Sequence, residues 1–288
     1  MSCLLGVCMR QQIDVRRPPG SSPLTLARSL LTNRQLLRQL IKREVISRYR
    51  GSFLGTAWSF FNPLLMLAVY TFVFTTIMKI RWVEEGSVDK VNFAILAFVG
   101  LLVHGFFAEC LNKAPTLIIS NVNFVKKVIF PLDALVWVLV GSALFHLGIS
   151  MVVLLLAQIV LGVGVPWTFV LFPLVLLPLV LLMAGLSWLL ASLGVYLRDI
   201  SQVTGVLSSV MLFLSPVFYP ASSLPEWVRP WMAINPLTHI IEDSRSVLVF
   251  GRVPELSRWT VSMCIGLVVM MLGYAWFQRT RKGFADVL

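Results

Sequence analysis

The sequence predicts an all-α integral membrane protein, with six transmembrane helices, an N-terminal amphipathic interface helix and short re-entrant gate helices on the outer side. Three observations carry this expectation. Apolar residues make up 58% of the 288 and charged residues only 13%, about half the ~25% of a soluble domain, and the mean hydropathy is +0.85. Six apolar runs, at 58–78, 93–111, 134–163, 168–195, 202–218 and 259–278, approach or exceed the roughly 20 residues that cross a bilayer as helix. The charge is lopsided, with 24 Lys and Arg against 13 Asp and Glu. Ten of the basic residues precede Ser52, which points to an anionic membrane face rather than to nucleic acid.

The chain divides into a tail and linker at 1–32, an amphipathic interface helix at 33–51 and a membrane domain at 52–288. The N-terminal apolar stretch 3–9 is too short for a signal-peptide core and has no basic residue before it, so the N-terminus is expected to be retained. Prolines, a glycine and serines at 16–23 read as a linker. Thr32-Asn33-Arg34-Gln35 fits a capping box. After it, Leu37, Ile41 and Val45 recur every fourth residue, opposite a basic row of Arg34, Arg38 and Lys42. A basic amphipathic helix of this kind is expected to lie at the lipid headgroups.

The spans follow. The third is long enough to tilt, Pro173 and Pro178 should kink the fourth, and the fifth is the shortest. Placing both termini in the cytoplasm puts seventeen of the Lys and Arg inside and seven outside, as the positive-inside rule requires. After the fifth span come Ser215-Pro216-Val217-Phe218-Tyr219-Pro220, Leu224-Pro225-Glu226-Trp227, Trp231 and Asn235-Pro236-Leu237. Backbone broken this often is tolerated at membrane depth only if protein shields it or it lines a water-filled cavity. We therefore read 219–245 as short helices dipping back into the outer leaflet.

The chemistry-bearing motifs are few. The sequence has no G-x-x-x-x-G-K-[ST], no H-E-x-x-H and no G-x-S-x-G, so neither a nucleotide-phosphate loop nor a hydrolase nucleophile is announced. The cysteines, at 3, 8, 110 and 264, form no metal-ligand spacing. Within the spans stand His104, Glu109 and His146. They do not form the chain of groups a proton relay needs, and structural pairing is the expected fate of Glu109. The protein is expected not to be an enzyme.

Residues 43–58, Arg43-Glu44-Val45-Ile46-Ser47-Arg48-Tyr49-Arg50-Gly51-Ser52-Phe53-Leu54-Gly55-Thr56-Ala57-Trp58, followed by Asn62-Pro63-Leu64, match a known pattern. It is R-[DE]-x-x-x-R-Y-x-x-S-x-L-G-x-x-W-x-x-x-x-P-L, the stretch leading into the first span of the ABC-2 type permeases. The chain resembles that family, and within it the O-antigen and capsular polysaccharide exporters. The segment 121–131, Tyr196-Leu197-Arg198-Asp199-Ile200, the 215–219 segment and Asn235-Pro236-Leu237 are similar to its later signatures. The likeness spans roughly 30–285.

The resemblance implies a homodimer of six-span subunits in the bacterial inner membrane, both termini cytoplasmic, with two copies of a separate ABC ATPase that binds ATP and Mg. No cofactor is then needed on this chain. The implied cargo is a polysaccharide on a polyprenyl diphosphate lipid; the alternatives are another lipid-linked glycan or polymer, such as capsule or teichoic acid, or a small drug or lipid. The coupling segment maps to Asn121, Asn123, Phe124, Lys126 and Lys127. The outer gate maps to Pro225, Trp227, Trp231, Asn235 and Pro236. Arg48 and Arg50, with Lys126 and Lys127, would meet the diphosphate or anionic headgroups.

Aromatic residues are dense in spans one, two and five. Sugar rings pack their C–H faces on aromatic faces, and shallow contacts let a polymer slide. Phe61, Tyr70, Phe72, Phe213, Phe218 and Tyr219 are the candidate path. Each also has a plain reading as a lipid-facing or helix-packing residue.

Overall fold

The computed structural model describes residues 34–77, 93–125, 131–220 and 224–288. Among them it is helical throughout, in the order α1 Arg34–Arg48, α2 Trp58–Thr71, α3 Phe93–Lys113, α4 Val122–Val125, α5 Ala134–Val160, α6 Phe172–Tyr196, α7 Ile200–Leu214, α8 Arg229–Ile234, α9 Pro236–Arg245, α10 Leu256–Thr280 and α11 Phe284–Val287. With their flanking turns, five helices are long and apolar enough to cross a membrane: Gly55–Phe74, Phe93–Lys113, Ala134–Val160, Trp167–Tyr196 and Leu256–Gly283. The sixth apolar helix, α7, has 15 residues. It rises about 22 Å at 1.5 Å per residue, short of the ~30 Å hydrocarbon core.

The fifth run thus stops sooner as helix than its apolar length predicts. Pro216 is the reason: it disfavours the helical conformation at the residue before it, and Ser215 is extended at φ −106°, ψ 152°. The two prolines expected to kink the fourth run behave differently from each other. Pro173 stands in the first turn of α6, where a missing N–H leaves no bond unmade. Pro178 is inside the helix and cannot serve the carbonyl of Leu174. The Trp259 indole on α10 donates to that carbonyl at 2.9 Å.

The architecture is centred on α3. Of its most apolar stretch 78% is buried within the protein, against 11% for Gly55–Phe74. α2, α5, α6, α7 and α9 all pack against it. α6 and α10 form the tightest pair, and glycines set their separation. A Cβ at Gly273 would overlap the Gly185 carbonyl, and one at Gly185 would reach the backbone of Val269 and Met270. This is the small-residue packing that lets helix backbones touch when lipid supplies no hydrophobic drive. Trp188 fills the space beside the pair, edge-on to Tyr274 at 5.1 Å and to Trp137 at 5.6 Å.

The amphipathic helix is present as α1. The capping residues Thr32 and Asn33 lie outside the described residues. Leu40 and Val45 are buried, and α1 packs along α5, where Gly141 leaves room for the Ile41 side chain. Its apolar face is therefore seated on protein. Residues 219–245, expected as short re-entrant helices, form α8 and α9 over their described part, and a wide helical turn follows at Ser246–Phe250. α9 is wedged against α3 and α6, with Leu237, Ile240 and Ile241 buried.

The glycine contact gives a test with opposite signs. Gly273→Ala should lower the unfolding midpoint in detergent by the ~1–3 kcal/mol of an overpacked site. Gly148→Ala, on an exposed part of α5 with nothing near its Cβ, should raise it by about 0.5–1 kcal/mol through better helix propensity.

Candidate functional site: an ionic cavity and an aromatic hairpin

The sequence candidates fall into three places. The first is a cavity of about 490 Å³ bounded by the end of α1 and by α2, α3 and α5. Its charged wall is built around Glu109 on α3. Arg48 Nη1 donates to Glu109 Oε1 at 2.6 Å, Lys113 Nζ at 2.8 Å, and His146 Nδ1 lies 3.0 Å from Oε2. Each partner comes from a different element or turn: Arg48 is the last residue of α1, Lys113 is one turn on from Glu109, and His146 faces them from α5. Glu109 is paired, as expected from its position. Its partners are a finding; only the four-residue spacing to Lys113 signals one of them in the sequence. Arg48 is still 45% exposed, and Arg50 lies exposed in the turn that follows. Tyr49 stands edge-on to His146 at 6.2 Å.

The second place is the C-terminal ends of α2 and α7. Phe218 lies 6.2 Å from Tyr70, 5.8 Å from Phe74 and 6.4 Å from Phe213, ring centre to ring centre. Phe74 is 4.9 Å from Phe93. Four of the six candidate path residues are therefore brought together, since the Tyr219 hydroxyl donates to the Phe213 carbonyl at 2.7 Å. Phe74 and Phe93 join them, visible in the sequence only as part of the aromatic richness of their spans. Phe61 and Phe72 are elsewhere, exposed on the free face of α2.

Backbone breaks at this end are closed by side chains. The last carbonyls of α7 lack helical partners. Leu214 is served by Asn235 Nδ2 at 3.2 Å, which also donates to Ser215 Oγ at 3.0 Å. The Asn235 Oδ1 accepts from the Leu237 N–H at 3.0 Å and so caps α9. Arg245, at the end of α9, is 3% exposed. Its Nη2 donates to the Val217 carbonyl at 2.7 Å and its Nε to Leu96 on α3 at 3.0 Å. Gly100 makes room, since a Cβ there would meet Val217 at 3.0 Å. Behind the hairpin, Gln158 and Thr168 donate to Leu248 at 2.7 Å and Val247 at 2.6 Å. Asn235 is one of the gate candidates and is buried, Pro236 is half-buried, and Pro225, Trp227 and Trp231 are exposed. Sequence reasoning missed Arg245, which in the chain is one more base in an outer loop.

The third place is the segment after α3. Ala114 and Ile118 are fully buried, and a Cβ at Gly194 on α6 would overlap the Pro115 carbonyl. Asn121 Nδ2 donates to the Leu117 carbonyl at 2.9 Å. Asn123 is exposed and Phe124 half-buried. The Arg43 guanidinium of α1 stands 5.5 Å from the Phe124 ring, a cation–π contact. Lys126 and Lys127 lie outside the described residues.

Loss of the Arg245 bracket should be costly. Arg245→Met should destabilise the protein by about 2 kcal/mol or more, the scale of losing charge-assisted buried bonds. Arg245→Lys should recover less than half of that, because a single ammonium does not reproduce the fork that reaches two elements. Denaturation in detergent checks both.

The ABC-2 type transporter family matches residues 35–249, which takes in every described part of the three places. An O-antigen export system permease protein, RfbA, of Myxococcus xanthus is 30% identical over 265 residues, 91% of this chain and 99% of its own length. The capsule polysaccharide export inner-membrane protein CtrC of Neisseria meningitidis serogroup A is 25% identical over 88% of this chain and 94% of its own. The polysialic acid transport protein KpsM of Escherichia coli is 22% identical over 84% and 92%. With its apolar helices, broken hairpin and near end-to-end likeness to such permeases, this chain belongs to the ABC-2 type transporter family.

Proposed function

We propose that this chain is the permease subunit that exports a polyprenyl-diphosphate-linked polysaccharide, O-antigen-like, across the bacterial inner membrane. The observation that carries the reading is the likeness to an O-antigen export permease over 99% of that protein's length, which leaves no segment of the relative unaccounted for. In this reading two copies form the conduit. Two copies of a separate ABC ATPase bind ATP and Mg and drive it.

The geometry supports a role for each place. The segment from Pro115 to Phe124 touches both α1 and α6, so a force applied there by the ATPase reaches the interface helix and a span. The Tyr70, Phe213, Phe218 and Tyr219 cluster offers shallow stacking surfaces at the outer end of the path. In this reading Trp227 and Trp231, 76% and 72% exposed, supply the apolar bulk of the outer gate. A wide polar conduit would leak ions when idle, so an apolar closure is the expected design.

Deleting the chain should abolish surface polysaccharide while lipid-linked polymer accumulates inside the membrane. Restoring it as Phe124→Asp should return protein to the membrane and leave export low, because the charge loses the ring contact with Arg43 and carries the ~2 kcal/mol or greater penalty of a poorly solvated polar group. Surface polysaccharide unchanged by deletion would remove the function. The orientation is tested separately. A cysteine at Ser257 should react with an impermeant thiol reagent in intact cells and one at Ser201 should not; the reverse pattern would invert the topology.

A further inference from the structure

A separate cavity, of about 330 Å³, lies between α1, the segment after α3 and the start of α5. Its floor is apolar, made by Leu40 of α1 and by Leu135, Val138 and Leu139 from the first turns of α5, all buried. Its rim is polar and belongs to chain at the ends of the spans. Lys113 is the last residue of α3, Thr116 and Ser120 follow it, and Arg43 and Glu44 stand across from them on α1. The rim is built in advance. The Ser120 N–H donates to the Thr116 carbonyl at 2.8 Å and the Asn121 amide to the Leu117 carbonyl at 2.9 Å. A hollow with a polar rim over an apolar floor, at the ends of two membrane helices, repeats the profile of the bilayer boundary. The molecule that matches it has a polar head and an apolar root.

The charge sets the sign of the head. Arg43 and Lys113 line the cavity with one acid, Glu44, among its described lining residues. Lys113 also reaches Glu109 at 2.8 Å, and that carboxylate has a second cation in Arg48 at 2.6 Å. With these neighbours included, three cations stand against two carboxylates, an excess of one positive charge. The Arg43 guanidinium rests 5.5 Å from the Phe124 ring, and a guanidinium held on a ring face keeps its in-plane N–H donors for other partners. The exposed Ser120 hydroxyl adds a donor. A guanidinium, an ammonium and a hydroxyl around one hollow form a phosphate-binding set. A single excess charge suits a phosphodiester with one negative charge, and basic pockets between membrane helices take such heads.

We propose that this cavity binds the phosphodiester head of an anionic phospholipid. Arg43 and Lys113 take the phosphate, and the first acyl carbons lie against Leu135, Val138 and Leu139. Glu109 keeps Arg48 and His146 when Lys113 turns to the phosphate. A lipid seated here touches α1, the end of α3 and the start of α5 at once, and braces the interface helix against the membrane domain. The inference does not depend on what the protein exports.

The test is native mass spectrometry of the full chain in detergent micelles titrated with dioleoylphosphatidylglycerol. One lipid per chain should be retained, with an affinity about tenfold above that for dioleoylphosphatidylcholine. Arg43→Ala should weaken retention about tenfold by removing a charge-assisted pair, and Arg43→Lys should recover part of the loss by restoring charge without the fork. Glu44→Gln should tighten it about threefold by lifting a like-charge repulsion. Arg38→Ala removes an exposed base of α1 that does not line the cavity, and should leave retention unchanged. Ser120→Trp, on the exposed rim, should block the head without loss of folded protein, which keeps the test open if Arg43→Ala fails to fold. Undiminished retention in Arg43→Ala or in Ser120→Trp overturns the proposal. So does an equal loss in Arg38→Ala, which makes the attraction a general property of the basic helix, or equal retention of phosphatidylcholine, which removes selection by charge. Displacement of the lipid by equimolar glycerol 3-phosphate also overturns it and gives the cavity to soluble phosphates. The assay reads lipid retention and not export, so its failure leaves the proposed function standing.

Discussion

In hydrocarbon, a carbonyl that loses its helical partner has no water to turn to. That constraint organises the half of this protein that holds the aromatic hairpin. The chain breaks helix at Pro216 and at Asn235-Pro236, widens it over Ser246–Phe250, and removes a donor at Pro178. At each break the orphaned oxygen meets a side-chain donor from elsewhere: Tyr219 and Asn235 for the end of α7, Arg245 for Val217, Gln158 and Thr168 for the wide turn, Trp259 for Leu174. These donors belong to different helices, so meeting the hydrogen-bond requirement also fixes the hairpin against α3, α5 and α6. A broken backbone that would be a liability in lipid becomes a rigid insert.

The same accounting separates what the sequence makes legible from what it does not. Apolar runs report the membrane helices directly, because lipid imposes one composition on any spanning segment; all six runs appear as helices near their expected places. Run length is a weaker guide to helix length, and Ser215-Pro216 ends α7 before the apolar residues stop. The clustering of Tyr70, Phe213, Phe218 and Tyr219 is legible as composition, while the stranding of Phe61 and Phe72 on the far face is not, since it depends on the rotation of α2 about its axis. Arg245 is the plainest miss. A lone base in an outer loop reads as solvated, and only the fold places it beneath Gly100 with two carbonyls in reach. Ion pairing across Arg48, Glu109 and His146 spans three segments, and no local spacing encodes that meeting.

Burial is unevenly shared. α3 is wrapped by its neighbours, whereas α2 keeps most of its surface turned away from the rest of the chain. A helix held on one side is free to present the other to lipid, to a bound amphiphile or to a second copy. The polar end of that helix is anchored by contrast: Arg48 ties the interface helix to α3 at the level where α2 begins. The least embedded span is thus flanked by one of the most heavily bonded junctions among the described residues.

The glycine at 194 has a mechanical meaning. Its hydrogen is all that separates α6 from the Pro115 carbonyl, and farther along the same helix Gly185 is in backbone contact with Gly273 of α10. Neither joint contains a side chain that could rotate and take up slack. A displacement of the segment after α3 toward α6 therefore has no compliant layer to compress, and two spans must travel with it as a single strut. Gearing of this kind trades adaptability for stiffness, and a push at Pro115 would pass into both spans with little lost on the way.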